Sequence, residues 1–512
     1  MASNILPEVI NLREDELLQK EVKVLEARRP KLEMLSKPFI EQILSEALDV
    51  LMKTGVLVEN EEAVRLLQDA DCDRKGRTIT IKESIVQDCL KTVPSSIRMY
   101  DRTGTLAMTL EGDRIYFDPG SAALTILDAD TGLEREPKTR DLVRLAVLTD
   151  ALNNLAAQST GLISMDVPKS IQDRYRLYIA LLHCSKPVVT GTFAVESFEI
   201  MKEMLVAVRG SETKLREKPL AIFDCCPSPP LKWSNLTCQN LIDAARAGIP
   251  AELVSMPLTG ATAPVTLAGA LVQLTAENLS GIVIHQLANA GAPIIFGGSP
   301  AAFDMRKGTT PMGAVETMMI DASYAQIGKH LGLPTHAYMG LSDAKVMDGQ
   351  AGLETGMGAL MAALAGVNVI SGPGMLNFES CQSLEKLVMD NEICGMALRL
   401  VRGVEARGEQ LSGDLYGEIY DGDHFMGSAE TVRWFKEELY NVGPVIDRNT
   451  YDVWASHGRK NTWERSKEEV KKILKSHEVQ PLSEDMTADL RILMEKDAKA
   501  QGMSCLPGID ER

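Results

Sequence analysis

The chain has 512 residues, of which 45% are hydrophobic, so it is long enough for one large domain or a few average ones and is not a disordered chain. Its 71 acidic residues against 54 basic ones, a formal charge of −17, exclude nucleic acid and anionic membrane as general partners and favour a cationic small molecule. Nine cysteines without metal-ligand spacing read as reduced thiols of a cytoplasmic protein, Cys225 and Cys226 being adjacent rather than in a CxxC pair.

The stretch MASNILPEVINLREDELLQKEV has neither the basic start nor the apolar core of a signal peptide, so secretion is not expected. From Ser36, with Pro38 in the first turn, Phe39, Ile40, Ile43, Leu44, Ala47, Leu48 and Leu51 recur at helical spacing until Gly55. GRTITIK (76–82) then alternates as a short strand, and ESIVQDCLKTVPSS returns to helix. This predicts an N-terminal helical extension with a short strand over 1–110.

From about residue 110 the rhythm changes. Runs bounded by Gly or Pro occur at 114–119, 153–160, 186–192, 218–225, 250–256, 292–298, 334–340 and 367–374, most of them separated by enough residues for a helix. Eight such units predict an α/β fold, a (β/α)8 TIM-type barrel over 111–410 with N-terminal and C-terminal helical extensions. The uncharged runs Leu253–Ala276, Asn278–Phe303 and Thr355–Phe378 reach membrane-spanning length, but their prolines and glycines make them helix-loop-strand pieces of a buried interior, and no membrane association is expected. Over 411–512, SAETVRWFKEELY and WERSKEEVKKILKSHE predict amphipathic helices that serve as a C-terminal extension or the surface of a homo-oligomer.

In such a barrel the chemistry sits where the strands end. That places Gln158, Ser159, Thr190, Thr192, Asp224, Met256, Thr259, Phe296 to Ser299, Tyr338 to Asp343 and Ser371 to Gly374 at the mouth, a mostly neutral set. No glycine-rich nucleotide loop, paired-histidine zinc motif or GxSxG elbow is present, so no metal site is expected and Ser342 reads as a loop residue. Asp343 with Lys345 is open between an acid/base pair and a turn; Arg306 with Lys307 is open between a carboxylate clamp and a solvated loop. Phe296, Tyr338, Phe303 and Trp233 are open between stacking on a cation and core packing.

Taken together, YDRTG (100–104), GAPIIFGGSPAAFDMRKGTTPMGAVET, LGLPTHAYMGLSDAKVMDGQAGLETGMGALMAALAGVNVISGPGML, LVMDNEI and ELYNVGPVIDRNTYDVWASHG resemble the trimethylamine methyltransferase family, and the likeness runs over nearly the whole chain. The resemblance implies a barrel enzyme that moves a methyl group from nitrogen to the Co(I) of a corrinoid carried by a separate protein, with no tightly bound cofactor of its own. Archaeal members carry pyrrolysine near the strand end resembling GLSDAK; here Leu341 or Ser342 stands at the matching place. A quaternary amine, already cationic and with a neutral leaving group, needs positioning and exclusion of water rather than activation, so the expected donor is a quaternary amine. Glycine betaine comes first, ahead of proline betaine, carnitine and γ-butyrobetaine.

On this reading Phe296, Tyr338 and Met339 cage the ammonium, with Asp343, Glu354 or Asp224 adding negative field. Arg306, Lys307 and His336 are the donors to a substrate carboxylate. Gly340, Gln350 and Gly372 belong to the mouth loops, with small residues from Gly340 to Ser342 leaving room for the cofactor face. The alternatives are a methyltransferase for a tertiary amine or another donor, and a non-catalytic betaine-binding barrel.

Overall fold

The computed structural model describes residues 28–407, 411–418 and 424–509. Its centre is an eight-stranded parallel sheet: β1 Tyr116–Asp118, β2 Gln158–Ser159, β3 Val188–Thr190, β4 Ala221–Cys225, β5 Ala251–Leu253, β6 Ile294–Gly298, β7 Thr335–Tyr338 and β8 Val369–Ser371. Neighbours in the sheet follow chain order and β8 pairs with β1. The seam between β1 and β2 is joined by the Ala156 amide donating to the Phe117 carbonyl at 2.7 Å. Each predicted run contains one of these strands, and the fold is the (β/α)8 barrel.

The helices that follow the strands are α1 Thr139–Ala151, α2 Gln172–His183, α3 Ser197–Arg209, α4 Asn235–Ala247, α5 Leu267–Ala288, α6 Val315–His330, α7 Gly349–Ala365 and α8 Leu384–Arg402. Local chemistry sets their ends. The Ser234 and Asp348 side chains cap the first turns of α4 and α7, and Gly248 and Gly366 close the same helices in the left-handed conformation.

The floor of the barrel is apolar. An antiparallel hairpin, Ile97–Tyr100 with Leu106–Leu110, inserts Ile97, Met99, Met108 and Leu110 against Ala157, Val189, Ile222, Ile295 and Val369. These strand residues fix which side of each strand faces the bore, because side chains two apart share a face.

Helix α5 is long and apolar enough to cross a membrane, yet it is a core helix, with 78% of its most apolar window buried. It lies against helices Lys37–Lys53, Glu61–Asp69 and Glu83–Thr92 as well as α4 and α6, which is why it is apolar around much of its circumference. The C-terminal helices Thr462–Ser476 and Glu484–Ala500 pack on α1 and on α2 and α3. By contacts, residues 31–398 and 441–509 form one compact unit, and the described residues between 399 and 440 belong to another that holds helix Ala429–Glu438.

Candidate active site

Two residues beyond the apolar floor the bore turns polar. Asp224 follows Ile222 on β4, and Glu252 on β5 is in register with both Asp224 and Ile295. His336 on β7 is in register with Val369, Tyr338 with Ser371, and Ser371 with Asp118 on β1. Five of these side chains are buried, and Asp224 is half-buried. Ser371 Oγ donates to Asp118 Oδ1 at 2.8 Å and lies 3.1 Å from His336 Nε2, while His336 Nδ1 stands 3.0 Å from Glu252 Oε1. His336 thus sits between Ser371 and Glu252, with one ring nitrogen facing each. The Tyr338 ring stands edge-on to His336, the centroids 4.7 Å apart.

The loop after β8 adds a further carboxyl. Asn377, Phe378 and Glu379 are three consecutive residues with φ of 51°, 56° and 65°, a left-handed run that side chains rarely adopt. It directs the Glu379 carboxyl to the Ser121 amide, near Asp224 and Asp118. Burial is the first cause of every shift in this belt. It pushes Glu379 up to about 8, Asp224 up to about 7, and Asp118 and Glu252 well above the usual carboxylate range; neighbouring carboxyls push Asp118, Glu252 and Glu379 further. Asp224 and Glu252 face each other, a contact that becomes a hydrogen bond only with a proton between them. Of the two, Asp224 ionises first. Burial also drives His336 down to about 3, so the ring is neutral. Asp118 Oδ2, Asp224 Oδ1 and both oxygens of Glu252 find no donor among the described residues. Burial favours the protonated forms of these carboxyls, and a cation seated among them favours the ionised forms instead, so the belt is completed by a cation.

The residues singled out from sequence fall into two groups. Asp224, His336 and Tyr338 point into the bore together. Phe296 is on the other face of its strand: a Cβ placed on Gly328 of α6 would stand 3.1 Å from its ring, so it packs between barrel and helix. Met339 is buried with its amide on the Ser371 carbonyl. Asp343 and Glu354 are spent on loop structure. Asp343 accepts from the Met312 and Gly313 amides at 2.9 Å each, and Glu354 accepts from Ser342 Oγ, the Asp343 amide and Gln350. Lys345 donates to the Asp343 carbonyl beneath the Phe378 ring rather than pairing with the acid.

Arg306 is 89% exposed and tied to Asp304 within its own turn, and the Lys307 amide caps the same turn, so neither side chain reaches into the bore. Leu341 and Ser342 are buried. Gly340 and Gly372 allow the chain after β7 and β8 to touch: a Cβ on Gly372, whose φ is +127°, would stand 2.9 Å from the Gly340 carbonyl carbon, and one on Gly340 would meet Pro373 at 2.8 Å. These glycines therefore serve close packing of loops rather than open space.

Asp118, Glu252, Glu379 and Arg176 were missed by sequence reasoning. Asp118 in RIYFDP and Glu252 in PAELVSM are lone acids within apolar strands, a signal that was available. Arg176 lies on α2, and Glu379 depends on the left-handed run, so neither has a local signature.

Comparison with known proteins agrees with this architecture. The family described as trimethylamine methyltransferase (MTTB) matches residues 10–502. A trimethylamine methyltransferase MttB of Desulfitobacterium hafniense (strain DSM 10664 / DCB-2) is 31% identical over 464 residues, covering 90% of this chain and 93% of the relative. A glycine betaine methyltransferase of Desulfitobacterium hafniense (strain Y51) is 28% identical over 92% of this chain and 98% of its own. Among solved structures, the hydroxylamine complex of MtmB superposes with a TM-score of 0.51 at 12% identity, covering 92% of this chain and 90% of that one, a likeness of fold. The acid-lined bore thus belongs to a methyltransferase, and the chain is a member of the trimethylamine methyltransferase family.

Proposed function

We propose that the protein transfers a methyl group from a quaternary amine to the reduced cobalt of a separate corrinoid protein. The observation that carries this reading is the belt of Asp118, Asp224, Glu252 and Glu379, in which Asp118 Oδ2, Asp224 Oδ1 and both Glu252 oxygens have no donor among the described residues, at the end of a bore whose floor is closed. A quaternary ammonium cannot donate hydrogen bonds, so it is held by field and by an aromatic face, which the belt and Tyr338 supply. Its positive charge disappears when the methyl leaves, and the product is a neutral tertiary amine with weaker attraction to the belt. A protonated tertiary amine must first lose the proton that makes it attractive to the same carboxyls. The bore supplies orientation and exclusion of water and offers no nucleophile of its own.

The methyl acceptor is a second substrate, and the corrinoid supplies a Co(I) nucleophile that approaches the methyl from the open end. Large apolar side chains on the loops of that end are exposed: Leu124, Phe193, Met256, Val265, Met305 and Val346. An apolar rim of this kind suits a protein partner that covers the mouth during transfer. The relative named for glycine betaine supports a betaine donor, and the relatives named for trimethylamine support the tertiary alternative.

The test is an anaerobic assay with reduced corrinoid protein, following methylation of cobalt by absorbance with quaternary amines and trimethylamine. Transfer from a quaternary amine and none from trimethylamine is the expected result; transfer from trimethylamine alone overturns the quaternary reading.

A further inference from the structure

Arg176, beside the belt, carries the wrong charge for a simple cation site. It is 3% exposed, on the second turn of α2. Nη1 donates to the Thr160 carbonyl at 2.7 Å, and Nη2 makes a long contact, 3.5 Å, with the Gly191 carbonyl. Thr160 and Gly191 are the residues immediately after β2 and β3, which puts the guanidinium at the level of the acidic belt. A Cβ on Gly191 would stand 3.5 Å from Asp224 Cβ. The Phe193 ring covers the guanidinium at 4.5 Å, and this ring is 43% exposed.

What the guanidinium lacks is an anion. Nε has no partner, and no carboxylate oxygen among the described residues lies within ion-pairing distance of Arg176. Asp173, the nearest acid on its own helix, is taken by Arg174 and by the Phe193 amide. Burial lowers the Arg176 pKa to about 10 against the opposing pull of Asp173, Asp224 and Tyr338, a buried cation not fully compensated. One edge of the guanidinium, through Nη1, is therefore fixed to the backbone. On the side-on edge Nη2 keeps only its long contact with Gly191 and Nε has no partner, and this is the edge that binds a carboxylate through two parallel hydrogen bonds.

We propose that Arg176 is the anchor for a substrate carboxylate, and hence that the methyl donor is a zwitterion whose ammonium end meets the acidic belt while its carboxylate meets the Nε–Nη2 edge. This rests on the reading of the site as a quaternary-amine methyltransferase and narrows the substrate class within it. A purely cationic quaternary amine leaves Arg176 buried and unpaired, so discrimination comes from the cost of that orphaned charge as well as from the contact itself.

The experiment uses the full chain with two readouts: methyl transfer to reduced corrinoid protein, and calorimetric binding of the donor without that protein. Glycine betaine, proline betaine, carnitine and γ-butyrobetaine are compared with choline and tetramethylammonium on the wild type, Arg176→Gln and Arg176→Lys, each variant checked for wild-type secondary structure. At least one zwitterion is expected to bind and react, with choline and tetramethylammonium weaker by roughly 30-fold or more. Arg176→Gln is expected to weaken the zwitterion by a similar factor, chiefly in KM, without weakening choline. Arg176→Lys, which keeps the charge and loses the fork, is expected to fall between them. Choline as good as every zwitterion, or a zwitterion bound within twofold by Arg176→Gln, overturns the anchor while leaving the quaternary-amine reading intact. Zwitterion binding that depends on Arg176 without transfer from any donor upholds the anchor and overturns that reading. If Arg176→Gln does not fold, the Arg176→Lys comparison and the choline discrimination decide alone.

Discussion

Asp224 and Glu379, held up to about 7 and about 8 by burial, make stability and substrate binding respond to pH in opposite directions. A carboxyl whose folded-state pKa is raised keeps its proton in the native protein at pH values where the unfolded chain has lost it. Native stability therefore falls as pH rises from about 4 through the raised value. Buried His285 and His336, both down at about 3, act the other way, but only up to the pKa of an unfolded histidine near 6.5. Between about pH 6.5 and 8 the carboxyls remain, and the ligand-free melting temperature is expected to fall while the increment given by a bound quaternary ammonium grows. Scanning calorimetry across that range checks both signs. The two facing acids also separate: Glu252 keeps its proton, so Glu252→Gln is expected to bind the ammonium within about threefold of wild type, whereas Asp224→Asn removes a charge and weakens it about 10- to 100-fold by titration.

The loops after β6, β7 and β8 behave as one locked assembly, since Asp343 ties the first to the second and the Gly340–Gly372 crossing ties the second to the third. Asp343→Ala strands two buried amides and is expected to cost about 1–3 kcal/mol in denaturant titration. Gly372→Ala adds a clash to an unfavourable φ and is expected to cost at least about 2 kcal/mol. Arg306→Ala, by contrast, is expected to leave donor affinity unchanged because its guanidinium is exposed and bound to its own turn.

Most of the eight strands were legible because they are short, largely apolar runs followed by Gly or Pro, as a parallel barrel strand buried on both sides requires; β2, Gln158–Ser159, is polar and was placed by its spacing between neighbours. The site was legible only in part. Tyr338 and His336 sit at a strand end and could be named, but the same rule nominated Phe296, since a run apolar on both faces does not say which face is inward. Asp343 and Glu354 were visible as acids near the mouth, while their use as loop clamps depends on partners 30 or 31 and 11 or 12 residues away. Arg176 needs the packing of α2 against the β2 and β3 loops, which no local pattern encodes.

For the molecule as a whole, the C-terminal helices act on the site through α2. Arg174, 1% exposed, pairs with Asp497 at 2.6 Å and with Ser197 Oγ, so helix Glu484–Ala500 grips the turn of α2 that carries Arg176. Breaking a buried pair by removing one partner is costly, and Asp497→Ala is expected to destabilise the protein by about 3 kcal/mol in denaturant titration. The apolar rim is separable from this machinery. Val265→Asp with Met305→Asp is expected to raise the KM for the corrinoid protein severalfold while leaving the calorimetric affinity for the donor unchanged. The hairpin that seals the barrel floor has a kinetic consequence: a bore with one door imposes a queue. On the proposed reaction the amine enters before the partner covers the mouth, and the demethylated product departs only after the partner has gone. Excess partner protein then traps occupied and spent sites alike, and turnover slows as its concentration rises.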